Sequence, residues 1–174
     1  MVKECLKKYL DMYFELYKKH MGTYPTVPYD EDEISSLWIG EMDEEEYIQW
    51  MYKEKESETD FSTLESELGF LLPDELKEFY NSYYFLQLQG FYNGENVNFD
   101  NVSDCRDIVQ DLKGYLSTIE GKKYMYMGIY SSMDLNLCME IDTGKMVCID
   151  CESENVELLT DSLGELIQNM TPTR

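Results

Sequence analysis

Between Phe61 and Tyr84 the chain reads FSTLESELGFLLPDELKEFYNSYY. This stretch restricts the fold more than any other, because it spells two short amphipathic helices meeting at a corner. Ser62 and Glu65 have the spacing of a capping box, in which each side chain satisfies a free backbone amide of the first turn. Phe61, Leu64 and Leu68 then repeat at helical spacing on one face. Gly69 stops the helix, since glycine takes the left-handed conformation at little steric cost. Pro73 opens the next helix at its first position, followed by Asp74 and Glu75 where the helix dipole favours negative charge. Leu76, Phe79, Tyr80 and Tyr83 make its buried stripe, and Phe70, Leu71 and Leu72 form an apolar corner expected to plug into the core.

The rest of the chain alternates helix and strand signals. Leu6, Leu10, Tyr13 and Tyr17 line one face of a helix over 2–20, with Lys18 and Lys19 at its negative end, before Gly22 to Pro28 breaks it. Leu37-Trp38-Ile39 and Tyr47 to Tyr52 read as strands around the Glu41 to Glu46 turn, and Lys53 to Asp60 as a polar loop. Asn93-Gly94 favours a type I′ hairpin with Tyr92 opposite Glu95, Gly90 opposite Val97 and Leu88 opposite Phe99. Residues 103–120 predict a second long helix, with Ile108, Val109, Leu112, Leu116 and Ile119 facing the core and Gly121 past its end.

Tyr124 to Tyr130, apolar on both faces, reads as a central strand. Leu135 to Ile141 alternates, with Leu137, Met139 and Ile141 inward and Asn136, Cys138 and Glu140 outward. The matching face of Met146 to Cys151 is Val147, Ile149 and Cys151, which sets Ile141 opposite Val147 across a three-residue loop with Gly144 left-handed. Thr160 opens a last helix buried through Leu163, Leu166, Ile167 and Met170. These elements predict an α+β single domain over 1–171, a mixed, mainly antiparallel sheet flanked by helices.

The glutamate-rich helix ending in Leu68-Gly69-Phe70, the Leu72-Pro73 step and the helix Glu75-Leu76-Lys77-Glu78-Phe79-Tyr80 resemble the signature of the SUKH superfamily and, within it, the Syd (SecY-interacting) branch. The order agrees: an aromatic-rich N-terminal helix, a strand at Ser35-Ser36, a strand carrying Gln49-Trp50, the corner, and C-terminal strands closed by a helix. Leu37 and Met51-Tyr52 stand where Syd proteins often show proline, so the match is to the superfamily first and the branch second.

Thirty-six acidic and fourteen basic residues leave a formal charge of −22, which repels nucleic acid and anionic membranes and attracts basic partners. With 43% apolar residues the chain is too hydrophobic for a disordered acidic tail. The charged start MVKECLKKYLDMYF is unlike a signal peptide, no run approaches the ~20 residues of a membrane span, and five cysteines lack framework spacing. A cytoplasmic location is expected.

Catalytic patterns are sparse. His20 is the only histidine, no nucleophile elbow or phosphate-cradling loop is present, and an alternating strand points Cys148 and Cys151 to opposite faces. The runs Asp30 to Glu33 and Asp43 to Glu46 lack the ligand alternation of an EF-hand. Neither enzyme activity nor a cofactor is expected. What remains is an interaction surface of acidic turns interleaved with aromatics, with candidate partner-binding residues Tyr29, Asp30, Trp38, Glu41, Trp50, Glu65, Tyr83, Tyr84, Tyr130 and Asp134. A core role for the tryptophans and a merely solvated role for the acids explain the same residues.

The resemblance gives that surface a purpose. SUKH proteins are widely associated with bacterial toxin systems, which implies an immunity protein that binds and neutralises a cognate toxin, often a nuclease whose basic groove suits an acidic inhibitor. The alternative follows the Syd branch, a regulator that binds the basic cytosolic loops of the SecY translocon. Both partners are basic, so charge does not separate them.

Overall fold

The computed structural model of the chain describes residues 1–172. The elements run α1 (Val2–Met21), β1 (Thr26–Pro28), β2 (Trp38–Ile39), β3 (Tyr47–Trp50), β4 (Lys53–Glu54), α2 (Ser62–Leu68), α3 (Asp74–Ser82) and β5 (Tyr83–Tyr84). They continue with β6 (Leu88–Tyr92), β7 (Glu95–Phe99), α4 (Ile108–Tyr115), β8 (Leu116–Ile119), β9 (Lys122–Tyr130) and β10 (Leu135–Glu140). The last are β11 (Met146–Asp150), β12 (Asn155–Thr160), α5 (Leu163–Asn169) and β13 (Thr171–Pro172). The fold is α+β, and its strand pairings are antiparallel.

The large sheet has the order β12-β11-β10-β9-β7-β6-β13, with β8 added beside β9. Helix α1 packs against α5, α3 and β13. Its buried Leu6, Tyr9, Leu10 and Tyr13 join Leu76, Phe79, Leu88, Met125 and Leu166 in one core. A three-stranded sheet in the order β1-β3-β2 and a two-stranded ribbon of β4 and β5 complete the molecule. Among the described residues no helix is long and apolar enough to cross a membrane.

The corner forms as the sequence demands in most respects. Gly69 closes α2 at φ 80°, and Leu64, Leu72, Leu76, Phe79, Tyr80 and Tyr83 are buried. Two details differ. The capping box is absent: Ser62 N–H donates to Asp60, while Glu65 Oε1 accepts Leu72 N–H at 2.8 Å and the Lys77 ammonium at 3.1 Å, which ties α2 to the start of α3. Leu71 stands out into solvent at 76% exposure, because only every second side chain of an extended corner can turn inward.

Asn93 and Gly94, at φ 51° and 80°, make the expected hairpin, and β6 and β7 pair in the expected register. Elsewhere tertiary pairing overrides local pattern. The helix expected over 103–120 is confined to α4, because Leu116 to Ile119 gains a full ladder along β9. Lys53 to Asp60 is not wholly loop, since β4 pairs with β5. Ser35 and Ser36 lie in a turn, and the strand begins at Trp38. Thr160 ends a strand, β12, and α5 begins after Ser162, whose hydroxyl accepts Glu165 N–H at 3.1 Å.

The β10–β11 pairing also differs from expectation. Cys138 stands opposite Val147 and Met139 opposite Met146, so Met146 and Cys148 join Leu137 and Met139 on the main core. Val147 and Ile149 face the other way with Tyr124 and Cys138, which is buried rather than outward. The inward face of β10 is as expected; β11 carries apolar side chains on both faces, Met146 and Cys148 on one and Val147 and Ile149 on the other, so alternation alone could not choose between them.

Candidate protein-binding surface

The small sheet β1-β3-β2 is where the acidic runs meet. Pro28 pairs with Tyr47, so the turn after β1 and the turn before β3 leave the same end of the sheet, and Tyr29 N–H donates to the Glu46 carbonyl at 2.8 Å. Each run is shaped by its own carboxylate: Asp30 Oδ1 accepts Asp32 N–H at 2.9 Å, and Asp43 Oδ1 accepts the N–H groups of Glu45 at 3.0 Å and Tyr47 at 2.9 Å. Asp30 to Glu33 and Glu41 to Glu46 thereby lie side by side.

Two sets of bonds fix this unit to the body. On its inner side Trp50 sets its ring edge-on to Phe14, 4.9 Å between centroids, and on the opposite face Gln49 Oε1 accepts the N–H of Tyr24, in the segment that leads from α1 into β1, at 3.0 Å. Along the acidic turn, Asp104 accepts the Ser35 hydroxyl at 2.6 Å and Ser36 N–H at 2.7 Å, while the Cys105 thiol donates to the Ile34 carbonyl at 3.2 Å. Burial works to raise the Asp104 carboxyl, but these two donors outweigh it and hold the group below the usual carboxylate range. Burial and the Asp104 charge push the Cys105 thiol up, which keeps it protonated and a donor.

Between this unit and the body lies a cleft of about 290 Å³, walled by Asp30, Glu33 and Trp38 on one side and by Leu86, Gln87 and Asn101 on the other. The Tyr29 and Trp38 rings meet at a tilt of 38° with centroids 5.0 Å apart. Tyr29, Asp30 and Trp38 are therefore brought together, and Glu41 lies on the loop at the same end of the sheet.

The other sequence-derived candidates are dispersed. Trp50 is 0% exposed inside the core, and among the described residues its indole N–H has no hydrogen-bond partner. Tyr83 is buried edge-on to Tyr52, and Tyr84 lies under the Lys55 ammonium, 4.9 Å from its ring centroid. Glu65 is committed to the corner. It borders a cleft of about 650 Å³ in which Lys3 and Lys77 offset the carboxylates. Tyr130 is buried on the central strand β9, and Asp134 sits exposed in the tight turn beyond it at φ 53°.

Sequence reasoning missed one signal in plain sight. Residues 22–52 contain nine carboxylates, Asp30 to Glu33, Glu41 and Asp43 to Glu46, and no lysine or arginine. Among the described residues none of the nine is in a salt bridge. The acids of the body, by contrast, repeatedly find partners: Glu54 with Lys3, Glu67 with Lys113 and Asp111 with Arg106. Glu33 and Asp104 were also missed, because their roles depend on the cleft and on a contact between distant segments. Among the described residues no cluster of three His, Cys, Asp or Glu side chains could hold a metal ion, and all five cysteines are free.

The chain is thus a helix-covered antiparallel α+β domain that presents an acidic, aromatic-bearing module on its small sheet. Comparison with known proteins narrows this class. The family model described as Syd protein (SUKH-2) matches residues 3–172, and the chain belongs to that family. It is similar to Protein Syd of Shewanella pealeana (strain ATCC 700345 / ANG-SQ1), 25% identical over 175 residues that cover 97% of this chain and 81% of the relative. Protein Syd of Shewanella frigidimarina (strain NCIMB 400) is 23% identical over 176 residues, with the same coverage.

Proposed function

We propose that this chain is a non-catalytic, cytoplasmic binding protein of the Syd type whose small-sheet module receives basic cytosolic loops of the SecY translocon. The observation that carries the reading is the module itself: nine carboxylates with no lysine or arginine among them, on a small sheet that also carries the Tyr29–Trp38 pair. Family membership supports the choice of partner, and cytosolic loops of membrane proteins carry excess lysine and arginine. Of the sequence-derived candidates, Tyr29, Asp30, Trp38 and Glu41 are the proposed contacts, and the charge of −22 disfavours nucleic acid as a competitor.

Retention of detergent-solubilised SecY on the immobilised protein tests this. The wild type should retain it at low salt, and Asp30→Asn/Glu33→Gln/Glu41→Gln should release it; absence of retention by the wild type overturns the reading. A cognate toxin is the second reading, favoured by the SUKH-2 description of the family. Protection of cells from the toxin encoded beside the gene would support it, and absence of both binding and protection would remove it.

A further inference from the structure

The small sheet has a second face. Ile48 and Trp50 turn inward and are buried, so alternation along β3 sends Tyr47 and Gln49 outward. Ile39 pairs with Gln49 and Pro28 with Tyr47, which places both on that outward face. The side chains there are large and open to solvent: Ile39 is 37% exposed and Tyr47 41%, with Met51 at 40% just past β3 and Met42 at 45% in the adjoining loop. Scattered apolar residues on a surface need no explanation, but a cluster of four on a nine-residue sheet and its loop marks a contact surface.

We infer that this face docks an amphipathic cationic segment, one in which lysine or arginine alternates with apolar side chains. The inference rests on the proposed reading that a cationic polypeptide is received at this module, and it specifies that polypeptide's chemistry. A segment of lysines alone would leave Ile39, Tyr47 and Met51 in water. A wholly apolar segment would desolvate the carboxylates of Glu41 and Asp43 to Glu46 without a counter-charge. A second copy of the chain would set nine unpaired carboxylates against nine more. Only a partner carrying both features satisfies the face and its rim, with the apolar contacts supplying residence and the charges supplying encounter rate and orientation.

Two synthetic peptides of equal length and charge, one alternating lysine with leucine and one alternating lysine with serine, provide the test by fluorescence anisotropy against the full chain. The lysine–leucine peptide should bind about tenfold more tightly and persist at a salt concentration that releases the other. Tyr47→Ser/Met51→Ser should reduce it to the affinity of the lysine–serine peptide and leave the latter unchanged, with circular dichroism and thermal midpoint confirming the fold. Equal affinity of the two peptides, or an unaltered affinity in the double variant, overturns the inference while the cationic reading stands. Unchanged lysine–leucine binding by Glu41→Gln/Glu44→Gln/Glu45→Gln, which keeps the turn-forming Asp43, reveals apolar adsorption and also overturns it. Failure of both peptides to bind removes the cationic reading and the inference together.

Discussion

Asp104 and Ser35 are joined by a 2.6 Å hydrogen bond from hydroxyl to carboxylate, and the same carboxylate accepts Ser36 N–H at 2.7 Å. The link connects the acidic turn to the segment leading into α4. Because the folded state holds the Asp104 carboxyl below its ordinary value of about 3.9, its contribution is present above that pH and is lost as pH falls through the depressed value. Asp104→Asn should cost about 0.5–1 kcal/mol at neutral pH, the low end of the range because the residue is exposed. Urea unfolding of both proteins should show the deficit shrinking on acidification below about pH 4. A deficit independent of pH would mean that the ionised carboxylate is not what holds the turn.

Glu65 acts as a staple within the corner. Its side chain, 12% exposed, takes both the Leu72 amide and the Lys77 ammonium. Glu65→Ala leaves a partly buried N–H without its acceptor and should cost about 2–3 kcal/mol, whereas Glu65→Gln keeps the carbonyl for Leu72 and should cost about half as much. Equal losses for the two variants would assign the effect to the ion pair alone. Denaturant midpoints separate the outcomes.

How far the sequence was legible depended on whether a local rule had a competitor. Asn93-Gly94 had none, and the whole β6–β7 register follows from it. Leu116 and Ile119 satisfied a helical stripe as well as a strand, and the free edge of β9 decided for the strand. The bulge between Leu137 and Cys138 shifts the β9–β10 register, a change that strict alternation cannot encode. At the candidate surface the absence of lysine and arginine over 22–52 is written in the sequence, but the adjacency of its two acidic runs requires Pro28 opposite Tyr47. The tryptophans show the same limit: they are opposite each other in register, yet Trp50 sits on the central strand β3 and is sealed, while Trp38 is on the edge strand β2 and borders a cleft.

Trp50 therefore belongs to stability. Trp50→Ala should cost about 3–5 kcal/mol through the cavity it leaves among Phe14 and its neighbours. Trp50→Phe loses less ring area and also removes an indole N–H that has no partner among the described residues, so its cost should stay below about 2 kcal/mol. Partner affinity measured on the folded fraction should be unchanged in Trp50→Phe. A loss of affinity at full folding would return this residue to the recognition surface.

Gly90 limits how closely α1 approaches β6. A Cβ built there would lie 2.0 Å from the Tyr9 hydroxyl oxygen and 2.5 Å from the Thr171 carbonyl oxygen, while Tyr9 O–H donates to the Gln89 carbonyl at 2.6 Å. Gly90→Ala should cost about 3 kcal/mol, the upper part of the usual range for overpacking, because one of the two obstructions is backbone and moves little. Tyr9→Phe in the same chain should recover part of the loss by removing the nearer oxygen, although it forfeits the bond to Gln89. A double-mutant cycle followed by thermal unfolding measures that coupling, and additive effects of the two substitutions would show that β13, not Tyr9, sets the clearance.

The nine carboxylates of 22–52 give the opposite stability signature. None is in a salt bridge among the described residues, so neutralising some of them removes repulsion and breaks no ion pair. Glu41→Gln/Glu44→Gln spares the turn-forming Asp43 and should leave the thermal midpoint unchanged or slightly raised, while slowing association with a cationic partner at low salt. Glu157→Gln, on strand β12 at the end of the large sheet, is the control and should alter neither quantity. As ionic strength rises toward 0.15 M, where the screening length is about 8 Å, the rates of wild type and double variant should converge. Stopped-flow association across a salt series checks this, and a rate that Glu157→Gln slows as much as Glu41→Gln/Glu44→Gln would show that overall charge, rather than its concentration on the small sheet, guides the encounter.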